Sequence, residues 1–454
     1  MAPRVPLSTD ELTAQVDAGR IDTVLVVFTD MQGRLQGKRV HARYFLDEVA
    51  PHGMEGCNYL LAVDVEMNTV AGYEISSWQQ GYGDFVITPD AATLRAAPWL
   101  PSSALVQCDL SWLDGTPVRQ SPRQVLRAQV EEATRLGFTP FGATELEFIV
   151  FADSYQQAFD AHYQGLTGST LYNVDYSILG TSGDEPLMRD IRNAMYDAGL
   201  TVESSKGECN LGQHEIAFRY DEVLRTADNH VVFKAAAKEL AQQHGKALTF
   251  MAKYDEREGN SCHIHMSLRG TDGAIVFAGD GEHGRSPVFG HFVAGVLATL
   301  REFTLLYAPA VNSYKRYAPG SFAPTAVAWG EDNRTCALRV VGHGAGLRVE
   351  NRVPGGDVNP YLAQAAMLAG GLHGIRQELE PPAAFVGNAY DDGDLARVPN
   401  TLRAARDLFA DSGAAEAAFG KDVVAHYLRA ADVELEAFEA TVTDWERRRG
   451  FERF

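Results

Sequence analysis

The chain has no run of about 18 apolar residues, the length a helix needs to cross a bilayer, so no membrane span is expected. Its opening, MAPRVPLSTDELTAQVDAGR, lacks the apolar stretch of a secretory signal, which points to a cytoplasmic location. Cysteine is scarce: Cys57, Cys108, Cys209, Cys262 and Cys336 form an odd set of five with no CxxC pair, which fits reduced thiols in a cytosol. Basic residues are in deficit, 40 against 60 acidic ones, for a formal charge of −20. Such a chain gains no net counterion release on a phosphate backbone, so no nucleic-acid partner is expected. No GxxxxGK[ST] loop occurs, which excludes a P-loop enzyme, and no GxGxxG opens a helix after a strand. Repeats of solenoid length and low-complexity tracts are also missing.

What is there suits a soluble enzyme with a large core: 454 residues, 45% apolar and 22% charged, long enough for two domains. Residues 21–29 (IDTVLVVFT) read as a buried strand, Asp30–Gly33 as a turn, and RLQGKRVHA as a second strand. This hairpin opens a small β-rich segment, and the turn-rich DGTPVRQSPRQ marks its end. The predicted domains are therefore residues 1–115 and 116–454. A helix begins beyond the boundary, with Ser121 at the N-cap, Pro122 at the first position and Gln124 completing a capping box. Val125, Leu126, Val130, Ala133 and Leu136 form its stripe, and Gly137 stops it. ATELEFIVF reads as a strand. A last helix carries Val424, Leu428, Leu435, Phe438 and Val442 and ends near Trp445.

Five clusters carry chemistry. Glu145 and Glu147 lie two apart in a strand and so share a face, within surroundings too apolar to bury two anions unpartnered. VESSKGECNLGQHE brings Glu203, Glu208 and Glu215; GNSCHIHMSL brings His263 and His265, again two apart. GLRVENRVPGGD alternates Arg348, Glu350 and Arg352, which is either a salt-bridge ladder or a carboxylate set between two phosphate-gripping guanidiniums. NSYKRYAPGSFAPTAVAWGEDNRTCALRV adds Arg316, Arg334 and Arg339 around a Pro/Gly-rich loop. Carboxylates with imidazoles, and no thiolates, suit Mg²⁺ or Mn²⁺. Two such ions among arginines, without an activated Ser or Cys, indicate phosphoryl transfer.

Taken in order, ELEF, ECNLGQHE, HIHMSL, NSYKR with PGSFAP, NR, and RVENRVP with NPYL resemble glutamine synthetase of the bacterial class I type, over essentially the whole chain. The resemblance implies an α+β fold. It would have a small N-terminal β-grasp-like domain and a large C-terminal domain whose mainly antiparallel sheet is backed by helices. It also implies rings, usually a dodecamer, with each active site between the small domain of one subunit and the large domain of its neighbour. Carried over by residue, Glu147, Glu208 and Glu215 would hold one metal ion, and Glu145, His263 and Glu350 a second. His265, Arg339 and Arg348 would contact phosphate, Glu203 and Tyr220 the nucleoside of ATP, and Arg334 the transferring phosphoryl group. Arg316, Gly259 and Arg352 would serve glutamate and the reaction centre. The implied reaction is ATP-dependent: the γ-carboxylate of L-glutamate is phosphorylated, and an amine then displaces phosphate.

The sequence departs from the ammonia-using enzymes at one subsite. Their flap motif PGYEAP carries a glutamate, whereas here PGSFAP puts Phe322 in its place, and their DGSS loop is missing from GCNYLLAVDVEMNTVAGY. These departures resemble the γ-glutamyl-amine ligases, which use an organic amine. Phe322 and Asp64 are the candidate amine-site residues, and a small amine such as ethanolamine is preferred to a polyamine. The alternatives are a γ-glutamylpolyamine synthetase, an ammonia-using glutamine synthetase, and a non-catalytic relative that should have lost ligands this chain keeps.

Overall fold

The structure, a computed structural model, describes residues 7–454, so the first six residues of the opening stretch read above lie outside it. Six strands form a small sheet: β1 (Thr23–Thr29), β2 (Leu35–His41), β3 (Met54–Cys57), β4 (Asp84–Pro89), β5 (Arg95–Ala96) and β6 (Ser103–Ser111). Their order is β2-β1-β6-β4-β3, with β5 on β6; β1 and β6 run parallel and the other pairs antiparallel. The predicted hairpin is β1–β2. Its turn is held by the Asp30 carboxylate, which accepts from the backbone N–H groups of Gln32 and Arg34. Nearly every residue of β1 is buried, which is why its sequence is a continuous apolar run.

A larger sheet has nine strands: β7 (Phe138–Phe151), β8 (Val202–Gly207), β9 (Gln213–Phe218), β10 (Asp221–Glu222), β11 (Ala247–Thr249), β12 (Cys262–Gly270), β13 (Ala326–Glu331), β14 (Cys336–Val341) and β15 (Arg348–Asn351). Its main path runs β13-β14-β15-β12-β7-β9-β8, and only β13–β14 is parallel. Helices Pro122–Arg135 and Val223–Gln243 pack on β7, and Pro360–Arg376 packs on both of them. Pro360–Arg376 also crosses helix Pro287–Thr299 at contact distance, because glycines line the crossing. A Cβ at Gly374 would lie 2.0 Å from the His291 carbonyl oxygen. The fold is α+β.

Two helix readings are corrected. Ser121 and Pro122 start their helix as expected, but Ser121 makes no side-chain cap hydrogen bond, so the capping box with Gln124 does not form. Ser121 is buried, and the helix start is instead fixed by Pro122 and by the ion pairs of the next residue, Arg123. The C-terminal helix ends at Ala440 rather than near Trp445. A second helix, Asp444–Gly450, starts afresh from a capping box made by Thr443 and Glu446. Phe438 and Val442 are accordingly 45% and 61% exposed rather than core residues.

Arg123 ties the two sheets together. Its guanidinium, 3% exposed, pairs with Asp90 and Asp109 of the small sheet region at 2.7 Å each, and with Asp228 of helix Val223–Gln243 at 2.9 Å. Tyr361 donates to Asp228 at 2.6 Å. Replacing Arg123 by Met fills the volume but leaves Asp228 buried without its cation. The expected loss is about 3–5 kcal/mol of unfolding free energy, measured by denaturant titration.

Candidate active site

Strand register assembles the site. On β7, Glu145 stands opposite His263 of β12, and Glu147 opposite Glu215 of β9. On β15, Glu350 is paired with His265 of β12 on one side and Arg339 of β14 on the other. On β8, Lys206 faces Glu215. Residues 200 positions apart in sequence thus fall on neighbouring rungs of one face. Glu145, Glu147, Lys206, Glu215, His263 and Arg339 line a cavity of about 320 Å³ that also takes in Glu208, Gly259, Phe322, Arg334 and Arg352, while His265 opens on a neighbouring space and Glu350 is buried behind them.

Two acidic groups result. Ligand atoms of Glu147, Glu208 and Glu215 all lie within 4.8 Å of one another, as do those of Glu145, His265 and Glu350. His263 Nδ1 is close to the second group, 3.3 Å from Glu145 and 3.4 Å from Glu350. The second group therefore contains His265, which the resemblance assigned to phosphate, with His263 beside it. His263 Nε2 is buried with no hydrogen-bond partner, and burial and then Arg352 hold the ring below its ordinary pKa. Burial and then Glu145 push the Glu215 carboxyl up to about 8, with Glu147 and Glu350 adding and Lys206 opposing. Crowded oxygens, a neutral imidazole and an orphaned ring nitrogen fit hard divalent cations.

Arginines close the other side. Arg339 and Arg352 each donate to a different oxygen of fully buried Glu350, at 2.8 and 2.5 Å, and Arg339 also pairs with Asp332. Glu350 is the minus between pluses read from the sequence, though Arg339 rather than Arg348 is its second cation. Arg348 donates instead to His265 Nδ1 at 3.3 Å. It lines a second cavity, of about 250 Å³, with Glu203, Tyr220 and His265; Glu145 borders both cavities.

Most of the expected residues therefore line these adjoining spaces; Glu350 lies buried just behind them, and two others stand apart. Arg316 is 2% exposed and sits behind the wall beneath Gly259, bonded to the Ser261 hydroxyl and the Val353 carbonyl. Asp64 lines a separate cavity and accepts from the backbone and side chain of Asn68. Sequence reading passed over Phe141 and Arg269, which with Tyr220 form the aromatic wall of the second cavity: the Tyr220 and Phe141 rings meet edge to face at 6.1 Å, and Arg269 lies 5.0 Å from the Phe141 ring. It also passed over Lys206, Asp175 and Tyr176 in the first cavity. The β7–β12 and β8–β9 registers place Phe141, Arg269 and Lys206, while Asp175 and Tyr176 come from a loop that no register marks.

Paired acidic clusters edged by arginines, opening onto an aromatic-walled cavity, are the arrangement of a metal-dependent phosphoryl-transfer enzyme. The chain belongs to the glutamine synthetase family, since its residues 119–450 match the family model for the glutamine synthetase catalytic domain. It is 64% identical over 448 residues to gamma-glutamylethanolamide synthetase GlnA4 of Streptomyces coelicolor, covering 99% of this chain and 96% of that one. It is 38% identical to a glutamate–isopropylamine ligase of Pseudomonas sp, covering 95% of each. A solved GmaS/ADP complex superposes with a TM-score of 0.86 at 28% identity, covering 97% of this chain and 99% of that one.

The raised Glu215 gives the site a pH signature. Between the ordinary carboxyl value of 4.5 and about 8, the folded chain holds a proton that the unfolded chain has released. This group's contribution to stability in the metal-free protein therefore falls as pH rises through that window. A divalent ion held by this cluster would expel the proton, so its affinity would rise towards pH 8. At pH 7, Mg²⁺ binding should release about one proton. Calorimetry in two buffers of different ionisation heat should then give different heats, and Glu215→Gln should remove the difference. Equal heats with the wild-type protein would contradict this.

Proposed function

We propose that this chain joins the γ-carboxylate of L-glutamate to a small organic amine, using ATP and forming a γ-glutamyl phosphate on the way. The observation that carries the reading is the acidic cavity edged by Arg334, Arg339 and Arg352, with a phenylalanine, Phe322, at its mouth. Ethanolamine is the favoured amine, supported by the 64% likeness to gamma-glutamylethanolamide synthetase GlnA4.

Glu147, Glu208 and Glu215 would hold one Mg²⁺ or Mn²⁺ ion, and Glu145 and Glu350 with His263 or His265 a second. Such ions supply charge neutralisation for phosphate oxygens. The chain's own groups do the rest. The Tyr220–Phe141 wall and Glu203 hold the nucleoside, and Arg348 and His265 orient phosphates toward Glu145, where the two cavities meet. Arg352 and Arg339, clamped by Glu350, present fixed positive charge to the phosphoryl group in transit, and Arg334 adds an exposed one. Gly259 lets glutamate approach the backbone. Arg316 backs that wall, so its help to glutamate is through position.

A γ-carboxylate oxygen attacks the γ-phosphorus and ADP departs. The amine nitrogen then attacks the acyl carbon, the C–O bond to phosphate breaks, and the amide forms. The ammonium gives up one proton before attack and a second as the amide forms; phosphate takes one and solvent the other. Phe322 cannot accept a proton, which disfavours ammonium as the nitrogen donor and favours an amine with an apolar part.

Division into domains at 1–115 and 116–454 belongs to the same proposal and is supported by the two separate sheets. Assembly into rings, usually dodecamers, belongs to the same proposal and rests on membership of the glutamine synthetase family. A cytoplasmic location is supported by the five unpaired cysteines. Among the described residues no helix is long and apolar enough to cross a membrane.

The deciding measurement is phosphate release from ATP with glutamate and Mg²⁺ across ammonium, ethanolamine, other monoamines, putrescine and spermine. Ethanolamine or another small monoamine should stimulate release and ammonium should not. Stimulation by ammonium alone would replace this reading with a glutamine synthetase. Phe322→Glu should raise turnover with ammonium, by about a hundredfold or more if the carboxylate supplies ordinary general-base assistance.

A further inference from the structure

Gln213 belongs to none of the groups assigned above, yet it touches several of them. It opens β9, is 1% exposed and lines the acidic cavity. Its amide oxygen accepts from the Asn210 backbone N–H at 2.9 Å, so the amide nitrogen faces the other way. There it meets three acceptors: the Gly259 carbonyl and the Asn260 side-chain oxygen at 3.0 Å each, and Glu147 Oε2 at 3.3 Å. Its backbone carbonyl accepts from the Glu208 N–H at 2.9 Å.

Glu147 Oε2 also accepts from the Ser261 backbone N–H at 2.7 Å. Both donors hold the same oxygen, which turns the carboxylate so that Oε1 is the freer one, the oxygen to offer an ion shared with Glu208 and Glu215. Donors that fix a ligating carboxylate in this way commonly govern how well the ion is held. The same amide grips the segment that enters β12, through Gly259 and Asn260. Asn210 reinforces that grip, since its side chain donates to the Asp255 carboxylate at 3.0 Å and the Glu258 carbonyl at 2.7 Å. An amide has two N–H bonds, and here three acceptors face them, so the carboxylate and the loop share one donor group.

We infer that Gln213 is a positioning residue: it orients Glu147 for the ion held with Glu208 and Glu215, and it holds the Gly259 loop where glutamate approaches. One buried amide thus ties the ion group to the glutamate loop. The glutamate half of the inference rests on the ligase reading above, which it deepens; the ion half rests on the geometry of the acidic group alone.

The test is calorimetric titration of Mg²⁺ into the nucleotide-free protein, alongside steady-state phosphate release, for wild type, Gln213→Met, Gln213→Asn and Asn210→Ala. Gln213→Met keeps the shape and removes the donor, and Gln213→Asn keeps the amide but withdraws it by one methylene. Each should weaken one of the two Mg²⁺ sites by about 10- to 100-fold and leave the other within about twofold of wild type. Their glutamate KM should rise about tenfold, and their ATP KM should stay within about twofold. Asn210→Ala loosens the same loop without touching Glu147, so it should raise the glutamate KM and leave both Mg²⁺ sites as in wild type. Mg²⁺ binding unchanged in both Gln213 variants overturns the assignment. So does equal weakening of both Mg²⁺ sites and of ATP, which marks general damage. An Asn210→Ala that weakens Mg²⁺ as far as Gln213→Met overturns it too, because the loop and not the Gln213 amide would then hold the ion group. A wild-type enzyme stimulated by no amine overturns the ligase reading instead; the Mg²⁺ titration needs no substrate and still decides on Gln213.

Discussion

Glu215 stands opposite Glu147 across hydrogen-bonded strands, and Glu145 lies two residues from Glu147 on the same sheet face. Like charges in that register destabilise a sheet, and the burial of these side chains makes the repulsion stronger. The rest of the large sheet answers this concentration of negative charge. Lys206 leans into one acidic group, and the histidines flank the other. Arg339 and Arg352 fix Glu350 by both its oxygens. What remains uncompensated is confined to the cavity, where ions and phosphates can meet it.

That arrangement needs a rigid support, since an error of one residue in register would send every one of these side chains to the opposite face. The support is the layer of helices behind β7, the glycine-lined crossing of Pro287–Thr299 with Pro360–Arg376, and the buried Arg123 network joining the two sheets. The loops bearing Asp175, Tyr176 and Phe322 lie at the cavity's open side, where the backbone is free to adopt unusual conformations. Glu145, Glu147, Glu215, His263, His265, Arg339 and Glu350 are thus carried on strands, while Glu208, Arg334 and Arg352 come from the segments between them.

Much of this was legible in the sequence. The pairs Glu145/Glu147 and His263/His265 announce a shared face by spacing alone, and the β1–β2 hairpin announces itself by an apolar run and an Asp–Gly turn. The failures are local in cause. The Ser121 capping box failed because burial and Arg123 took over the helix start. The C-terminal helix was read through Thr443 because the apolar spacing continued, while the capping box that begins a new helix there was overlooked. Phe141, Arg269 and Lys206 were missed because nothing in their own segments marks them; each matters through a residue on another strand.

The sequence by itself determined the family and the residue types that gather at the cavity, a phenylalanine in the PGSFAP loop among them, since these depend on residue types in fixed local order. Tertiary structure alone decided how the ligands group, with His265 drawn beside Glu145 and Glu350, Arg316 withdrawn behind Gly259, and Asp64 turned to a different cavity. Spacing along one strand sets which face a side chain takes. Which side chains meet there depends on the register between strands and on the path of the loops, and those are settled by the packing of the whole fold.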